Sequence, residues 1–374
     1  MELEPSLERW VEAQILDRQQ ADRIRQFESA QLPRRRARWP VTMAVAFGGI
    51  MLAAGVLLFV SAHWDEISPF QRMALLVLAV GGFHLGGAFV LERFHALGIT
   101  LHAVGTVALG GAIAVAGQIF NMQEHWPTAV LLWALGAIAG WLLLGDWPHL
   151  ALSALLVPFW LVGEWVEAAP GGRDCVPVLT CGVLLLAICY LSVRAPGADS
   201  RQDHVRTALT WLGGLALLPA TLAVAIAPHA YYGSPVASAG MLAIGWTCAI
   251  LLPLGLAYAF RRNAAWMNVV AALWVIGLNF MADPHQELLV YGWCALGAVG
   301  MVAWGIYELR AERINLGMAG FALTIIFFFF SSVMDRLGRS ASLMALGVLF
   351  VGGGWYGEKL RRKLVAGLVT GGVQ

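Results

Sequence analysis

The sequence predicts an all-α, polytopic transmembrane helix bundle of about 12 spans, with a short cytoplasmic helical hairpin at its N-terminus. From Val41 onward, twelve apolar stretches of about 20 residues fill the chain, and a helix needs about 20 apolar residues to cross the hydrocarbon core of a bilayer. Hydrophobic residues make up 59% of the chain and charged residues 13%, against roughly a quarter charged in soluble domains. This composition excludes an ordinary water-soluble protein.

The apolar stretches set the predicted spans and leave little chain for anything else. A second soluble domain is not expected, because the spans and their turns use nearly all of the 374 residues. No removable signal peptide is expected either, because the hydrophilic N-terminal segment precedes the first span without a cleavage site. The predicted spans are 41–62, 70–91, 97–120, 126–144, 148–166, 175–193, 207–227, 237–260, 264–282, 287–308, 313–333 and 340–357.

The predicted domain organisation has three parts. Residues 1–38 form a cytoplasmic amphipathic helical hairpin and a basic juxtamembrane cluster, residues 39–360 form the transmembrane helical domain, and residues 361–374 form a cytoplasmic tail. Within the hairpin, Asp17 and Gln20 have the spacing of a capping box that opens the second helix. Residues 1–33 contain seven acids and four arginines, the wrong balance for contacts with nucleic-acid phosphates.

The cation distribution predicts the orientation of the chain, since Lys and Arg in short loops stay on the cytoplasmic side. Of the 24 cations, 20 fall on the side of the two termini. The opposite side carries only Arg72, Arg173, Arg336 and Arg339. We therefore expect a bacterial cytoplasmic (inner) membrane protein with both termini in the cytoplasm. The turn at Asp146 is the one cytoplasmic turn without a cation.

The segment before the first span suggests two kinds of partner, anionic lipid headgroups and a second copy of the chain. Arg34, Arg35, Arg36 and Arg38 can contact anionic lipid headgroups, although such a cluster also serves as a simple topology anchor. The hairpin can pack on the membrane domain or on another copy of itself, which would produce a homo-oligomer.

Several segments resemble a known family. These are FVSAHW at the end of the first predicted span, LHAVGTVALGGAIAVAGQIF from Leu101 to Phe120, and LLWALGAIAGWLL from Leu131 to Leu143. With RINLGMAGFALTIIFFFFSS and DRLGRS further on, they make the chain similar to the uncharacterised bacterial membrane family named domain of unknown function 2157. The resemblance runs over most of the chain and is strongest over residues 7–145. It implies the polytopic architecture and no particular activity.

Two histidines fall inside predicted spans, where polar side chains are costly and mark candidate functional sites. His84 and His102 lie at similar depth on adjacent antiparallel helices, and small neighbouring residues allow close approach. We therefore expect an intramembrane polar pair. It could serve as a proton relay, a metal pair or haem ligands, or consist of neutral imidazoles bonded to each other or to backbone.

A second polar set gathers at span ends on the predicted outer side, where acids outnumber arginines. From this set we predict a substrate-binding site built from Gln118, Asn121, His63, Trp64 and Glu164. The amide of Gln118 and the carboxyl of Glu164 lie within apolar helices and must be hydrogen-bonded or face water. An acidic mouth of this kind suits a cationic or polyol-like solute, or a lipid headgroup, better than a small anion.

Three classes of function fit these observations. A transporter or channel-like protein with an outward-facing polar cavity is favoured, because kinked apolar helices with a few buried polar groups are typical of transport proteins. A membrane scaffold or sensor with a partner-binding cytoplasmic hairpin is the alternative. An integral membrane transferase acting on a lipid-linked substrate ranks below both, since no acid/base or metal set converges. Catalytic residues, a metal site and a cofactor are not predicted.

Overall fold

Helix is the regular secondary structure of every described part of the computed structural model. The structure describes residues 10–11, 13–24, 68–120, 125–169, 175–193, 203–226, 237–281 and 287–333, with isolated helical residues at 27, between 44 and 58, and between 344 and 359. Its helices are α1 (Pro69–Leu91), α2 (His95–Ile119), α3 (Pro127–Leu144), α4 (Trp147–Ala168), α5 (Cys175–Ser192), α6 (Asp203–Ile226), α7 (Ala239–Arg261), α8 (Trp266–Met281), α9 (Glu287–Tyr307) and α10 (Ala311–Phe328). A 3-10 turn, Arg262–Ala265, separates α7 from α8, and a π-helical turn, Phe329–Val333, follows α10.

Local sequence signals explain where several helices begin and end. The hydroxyl of Ser68 caps α1 in a reciprocal capping box with Gln71, and Pro69 occupies the first helical turn, where it is tolerated. Gly145 has a φ of +65°, a left-handed conformation that favours glycine, directly after α3. Pro158, Pro219 and Pro253 lie inside α4, α6 and α7.

The all-α, polytopic architecture is confirmed. Each of the ten predicted spans from 70–91 to 313–333 coincides with one described helix, to within about four residues. Nine stretches of the described chain are long and apolar enough to cross a membrane, and residues 239–281 count as one of them. The first and last predicted spans, 41–62 and 340–357, lie outside the continuously described residues, so the total of twelve stays a prediction.

Residues 239–281 form two separate helices, α7 and α8, which both pack against the same part of α5. Ala257 of α7 and Ala272 of α8 both pack in one buried cluster against Leu185 and Cys189 of α5. In one continuous helix these alanines would lie about 22 Å apart. Arg262, at φ +50°, is where the chain reverses. This part of the chain therefore contains two separate helices at the positions of the predicted spans 237–260 and 264–282.

The surface of the helices is apolar, as expected for contact with lipid. Phe89 of α1 and Leu143 of α3 are each 85% exposed, and Phe280 of α8 is 76% exposed. Charged side chains such as Arg261 and Arg313 are instead fully buried. Because water-soluble proteins show the opposite distribution, this pattern supports insertion in a membrane.

The chain divides into two compact units, one comprising Met1–Glu124 with Leu135–His149 and the other His125–Ala134 with Leu150–Gln374. In the first unit α1 packs along α2 around Leu76, Ala112 and Val115. In the second unit α5 packs along α6 and α7, and α9 packs along α10. The main core of this second unit includes Leu184, Ile188, Leu217, Val275, Leu278 and Trp304.

The described part of the N-terminal head is helical at residues 10–11 and 18–24. The backbone N–H of Asp17 donates to the side chain of Gln20 over 3.0 Å, which is one of the two bonds of the predicted capping box. Ala21 is buried at 4% exposure. The basic cluster Arg34, Arg35, Arg36 and Arg38 lies outside the described residues.

Candidate functional site

The first unit holds the histidine pair that the sequence analysis singled out. The Nδ1 atoms of His84 on α1 and His102 on α2 lie 3.0 Å apart, and the ring centroids lie 5.3 Å apart. Each ring lies over a glycine of the opposite helix. A Cβ built on Gly87 would lie 2.8 Å from Cδ2 of His102, and one on Gly105 would lie 2.9 Å from Cδ2 of His84. The two glycines therefore create the space that the rings occupy.

The geometry of the pair determines its protonation. Two Nδ1 atoms at hydrogen-bond distance require one ring to donate N–H and the other to accept with a lone pair. The two imidazoles thus share one proton between them. The Nε2 atom of His102 is buried and has no hydrogen-bond partner. An unsatisfied buried polar atom is unfavourable, so this atom marks a position where a proton or a water molecule would be stabilised.

A second polar chain in the same unit joins α2 to the start of α4. His149 Nδ1 lies 2.7 Å from Oδ1 of Asp146, and His149 Nε2 lies 2.8 Å from Oγ1 of Thr106. The same carboxylate oxygen accepts the backbone N–H of His149 over 3.1 Å, as the cap of α4. The Thr106 hydroxyl also lies 3.2 Å from the carbonyl oxygen of His102. Thr106 therefore connects the two histidine groups.

Sequence reasoning missed this second chain. The sequence analysis treats Asp146 as a turn residue and Thr106 only as one of the small residues that let the histidine pair approach, and it does not consider His149. The available signal was the spacing of Asp146 and His149, three residues apart at a helix start, which brings the two side chains together. Their connection to Thr106, 40 residues earlier, depends on tertiary packing that no local pattern contains.

Two polar side chains at the turn between α3 and α4 are buried, although the turn itself is partly exposed. The side chains of Asp146 and His149 are 2% and 0% exposed, whereas Gly145 beside them and Trp147 between them are exposed. Thr106 lies eleven residues after His95, about 16 Å along α2. The Asp146 carboxylate is therefore used within the protein interior.

The order of atoms from carboxylate to imidazole to hydroxyl resembles that of a hydrolytic triad, but the surroundings differ. Thr106 is 2% exposed in the middle of α2, where helical hydrogen bonds already use the backbone N–H groups. Triad enzymes need free N–H donors beside the nucleophile to stabilise an oxyanion. The arrangement therefore favours proton exchange over acyl transfer. In the described residues no group of three or more His, Cys, Asp or Glu is arranged to hold a metal ion.

The predicted outer site is described only in part. His63, Trp64 and Asn121 lie outside the described residues. Gln118, in the last turn of α2, is exposed and belongs to the first unit, while Glu164 of α4 belongs to the second. The grouping of these five residues in one site therefore stays a prediction.

Glu164 makes contacts within its own unit. Its Oε2 lies 3.0 Å from Nε2 of His125, and its Oε1 accepts the indole N–H of Trp160 over 2.8 Å. The side chains of His125 and Glu164 are 46% and 37% exposed. The carboxylate is thus hydrogen-bonded and also reachable by solvent, as the sequence argument requires of a polar group in an apolar helix.

The second unit contains a buried ionic centre that sequence reasoning also missed. Glu308, between α9 and α10, pairs with Arg261 at the end of α7 and with Arg313 of α10, the latter over 2.5 Å. Both guanidinium groups also donate to the carbonyl of Ser192 and lie over the ring of Trp304. The sequence analysis counted Arg261 and Arg313 as loop cations, and their pairing across turns has no local signal.

The ionic centre controls the charge of Glu308. Burial by itself would raise the pKa of this carboxyl, but hydrogen bonds from Arg261, Trp304 and Arg313 and the charge of Arg313 outweigh it. The pKa of Glu308 therefore lies below its ordinary value, and the group is ionised at neutral pH. Asn268 of α8 extends the network by donating to the hydroxyl of Ser192 over 2.8 Å.

Apolar helices of spanning length, lipid-facing surfaces and buried polar networks define this protein as a polytopic integral membrane protein. Residues 8–150 match the family described as predicted membrane protein, domain of unknown function 2157 (DUF2157). The resemblance stated from the sequence is confirmed over these residues. They include the pair of His84 and His102 and the polar chain of Asp146, His149 and Thr106. Searches of curated proteins and of solved structures each found no match.

Proposed function

We propose that this protein is a transporter or channel-like protein, and that the polar chains of its first unit form a proton relay. The observation that carries the proposal is the hydrogen-bonded position of His149 between the carboxylate of Asp146 and the hydroxyl of Thr106. Ionisable groups buried within spanning helices are typical of proton pathways.

The contacts support a stepwise movement of a proton. His149 can take a proton on Nε2 while Asp146 stabilises the resulting imidazolium through Nδ1. The Thr106 hydroxyl then donates to the carbonyl oxygen of His102 instead of to His149, because a hydroxyl has one proton. Protonation therefore changes the hydrogen bond that Thr106 makes to the segment carrying His102. In the His84 and His102 pair one proton lies between the two Nδ1 atoms, and the accepting ring carries its own proton on Nε2. A proton can therefore pass along this pair only if the accepting ring releases its Nε2 proton and the donating ring takes one up on Nε2.

We test the relay in proteoliposomes loaded with the pH-sensitive dye pyranine, under a potassium diffusion potential set by valinomycin. Purified protein should acidify the lumen faster than protein-free liposomes do. His149→Gln should slow this flux by about 100-fold, the scale at which positioned proton-transfer groups act. His95→Gln is the matched control, since His95 is an exposed histidine of α2 in the same unit. Flux equal to that of empty liposomes, or unchanged in folded His149→Gln protein, would contradict the relay.

The solute site proposed for the transporter is the outer set of Gln118, Asn121, His63, Trp64 and Glu164, with a cationic or polyol-like solute. The contacts of Glu164 with His125 and Trp160 support a solvent-reachable carboxylate. A Gln118→Leu, Glu164→Leu double variant should keep proton flux and lose solute-dependent flux in the same liposomes. Unchanged solute flux in the folded double variant would end this assignment.

The membrane placement completes the proposal. We propose the bacterial inner membrane with cytoplasmic N- and C-termini, on the cation distribution given above. The cluster Arg34, Arg35, Arg36 and Arg38 would then contact anionic headgroups of the inner leaflet. A homo-oligomer through the N-terminal hairpin remains part of this proposal and is tested by the mass of the purified protein in detergent.

A further inference from the structure

A large apolar cavity lies within the second unit, apart from both polar regions described for the proposed transport function. Its volume is about 1330 Å³, and its walls come from α5, α6, α8, α9 and α10. Typical small-molecule pockets measure roughly 300–1,000 Å³, so this space exceeds what one small solute needs. Along α9 the wall extends from Val290 to Tyr307, about 26 Å of helix. That length is close to the roughly 30 Å of bilayer hydrocarbon.

Along the length of the cavity, most polar side chains of the wall have their donors already in use. Six of them give their N–H or O–H groups to protein acceptors, namely Thr221, Thr324, Trp274, Trp293, Trp304 and Tyr291. A polar solute entering here would lose its hydrogen bonds to water without replacement, which is strongly unfavourable. A hydrocarbon chain makes no hydrogen bonds to water and therefore loses none on entering the cavity. The chemistry of the wall therefore selects an apolar occupant.

One end of the cavity has the composition of a membrane interface. Trp266, the first residue of α8, and Tyr307, the last of α9, line this end and are exposed. The ion pair of Arg261 with Glu308 places the two helix ends side by side. Trp and Tyr concentrate where hydrocarbon meets headgroups. Arg262 is exposed in the turn that leads into α8, which puts a cation at the same end.

We infer that this cavity binds an acyl chain of an anionic phospholipid, with the lipid phosphate at Arg262. The lipid enters from the bilayer, because wall residues such as Leu273 and Leu296 are more than half exposed on the hydrocarbon side. Anionic lipid is favoured over zwitterionic lipid because a cation beside the headgroup attracts net negative charge. The occupied cavity fills the space between α6 and the α9–α10 pair.

The test uses the full chain in nanodiscs of phosphatidylcholine with a trace of phosphatidylglycerol that carries a photoreactive diazirine on its acyl chain. After irradiation, peptide mass spectrometry maps the labelled residues. Leu218 and Leu323 in the cavity wall should be labelled at least about fivefold more than Leu251 and Leu252, which are exposed on α7 outside the cavity. Equal labelling of the two sets would overturn the inference.

A substitution that fills the cavity tests whether the labelling depends on the cavity. Gly300 lines the cavity and has nothing within 4 Å of a built Cβ, so the backbone position accepts a side chain, and Gly300→Phe adds a ring at the cavity wall. Gly292→Phe is matched, because Gly292 lies on the same helix with equally open space but outside the wall. Gly300→Phe should remove most cavity labelling, and Gly292→Phe should keep it. Gly300→Leu is a smaller second variant should the first fail to fold, and labelling that persists in a folded filled variant would overturn the inference.

A separate variant tests whether the lipid phosphate lies at Arg262. Arg262→Gln should lower the preference for photoreactive phosphatidylglycerol over the equivalent phosphatidylcholine by about fivefold, the effect of one cation near an anionic surface. Arg93→Gln is the matched control, because Arg93 is likewise exposed beside an aromatic ring at a helix end. A preference unchanged by Arg262→Gln, or a cavity filled by the protein's own residues in an experimental density map, would overturn the assignment.

Discussion

At the scale of single residues, the two units of this protein bury polar groups in different ways. In the first unit, glycines clear space so that neutral rings can meet, as Gly87 and Gly105 do for His102 and His84. In the second unit, a carboxylate between two guanidinium groups balances half of their charge. Both solutions satisfy groups that hydrocarbon would leave without partners.

The glycine contacts lead to the first prediction. Gly87→Ala and Gly105→Ala should each destabilise the protein by about 1–3 kcal/mol, the range for overpacking a filled interior, because the new methyl groups would displace the imidazoles. Gly81→Ala is the control, since a Cβ there meets nothing within 4 Å on the same helix. Thermal unfolding in detergent measures the difference, and equal melting temperatures for Gly81→Ala and Gly87→Ala would contradict the prediction.

The second prediction concerns Glu308. Glu308→Gln removes the carboxylate that the buried Arg261 and Arg313 share and should destabilise the protein by about 3–5 kcal/mol at neutral pH. Because the folded-state pKa of Glu308 lies below its ordinary value, the stabilisation is complete above about pH 4.3 and is lost as pH falls through the folded-state pKa. The melting temperatures of the native and variant proteins should therefore converge in acid.

The exposed Glu167→Gln variant serves as the control for Glu308. Its melting temperature should follow that of the native protein at every pH. The native protein and Glu308→Gln are compared by their melting temperatures. A difference that stays constant from neutral pH to pH values well below about 4 would contradict the ionised state of the Glu308 carboxyl.

At the scale of helices, the features that the sequence predicts best are those that the thickness of the bilayer determines. The lengths of α1 to α10 follow from the apolar runs, because each helix must match the thickness of hydrocarbon. The equal depth of His84 and His102 likewise follows from counting residues along two adjacent helices. The partners of His149 and Glu308 could not be predicted, because Thr106 and Arg261 reach them across helices whose rotation about their axes the sequence does not specify.

The contact between α8 and α9 supplies the third prediction. Trp274 and Trp293 each donate an indole N–H to the backbone carbonyl of the other. Each ring lies on a glycine of the opposite helix, so that a Cβ on Gly277 would lie 2.9 Å from Cε2 of Trp293. Gly277→Ala should therefore separate the helices and destabilise the protein by about 1–3 kcal/mol.

The control for this contact is Gly292→Ala on α9, where a Cβ meets nothing within 4 Å. Near-ultraviolet circular dichroism reports the environment of the indoles. The tryptophan signal should change in Gly277→Ala and stay native in Gly292→Ala. Identical spectra for all three proteins would show that the ring pair tolerates the methyl group.

At the scale of the whole molecule, the fourth prediction is the orientation in the membrane, argued from the 20 to 4 division of cations. Reporter fusions after Arg38, after Arg262 and at the C-terminus should report the cytoplasm. Fusions after Glu124 and after Asp283 should report the opposite side. A C-terminus on the outer side would leave an odd number of spans and refute the twelve-span prediction.

The buried carboxylate at the turn between α3 and α4 also affects where the chain can be interrupted. Exposed turns accept inserted peptides because their backbone contacts are with water, but Asp146 is held by both the backbone and the ring of His149. An epitope tag inserted after Gly145 would displace Asp146 and break these buried bonds. Tagging, proteolytic nicking and circular permutation should therefore be tolerated at the α7–α8 turn and fail at Gly145, although both turns join successive helices on the same predicted side.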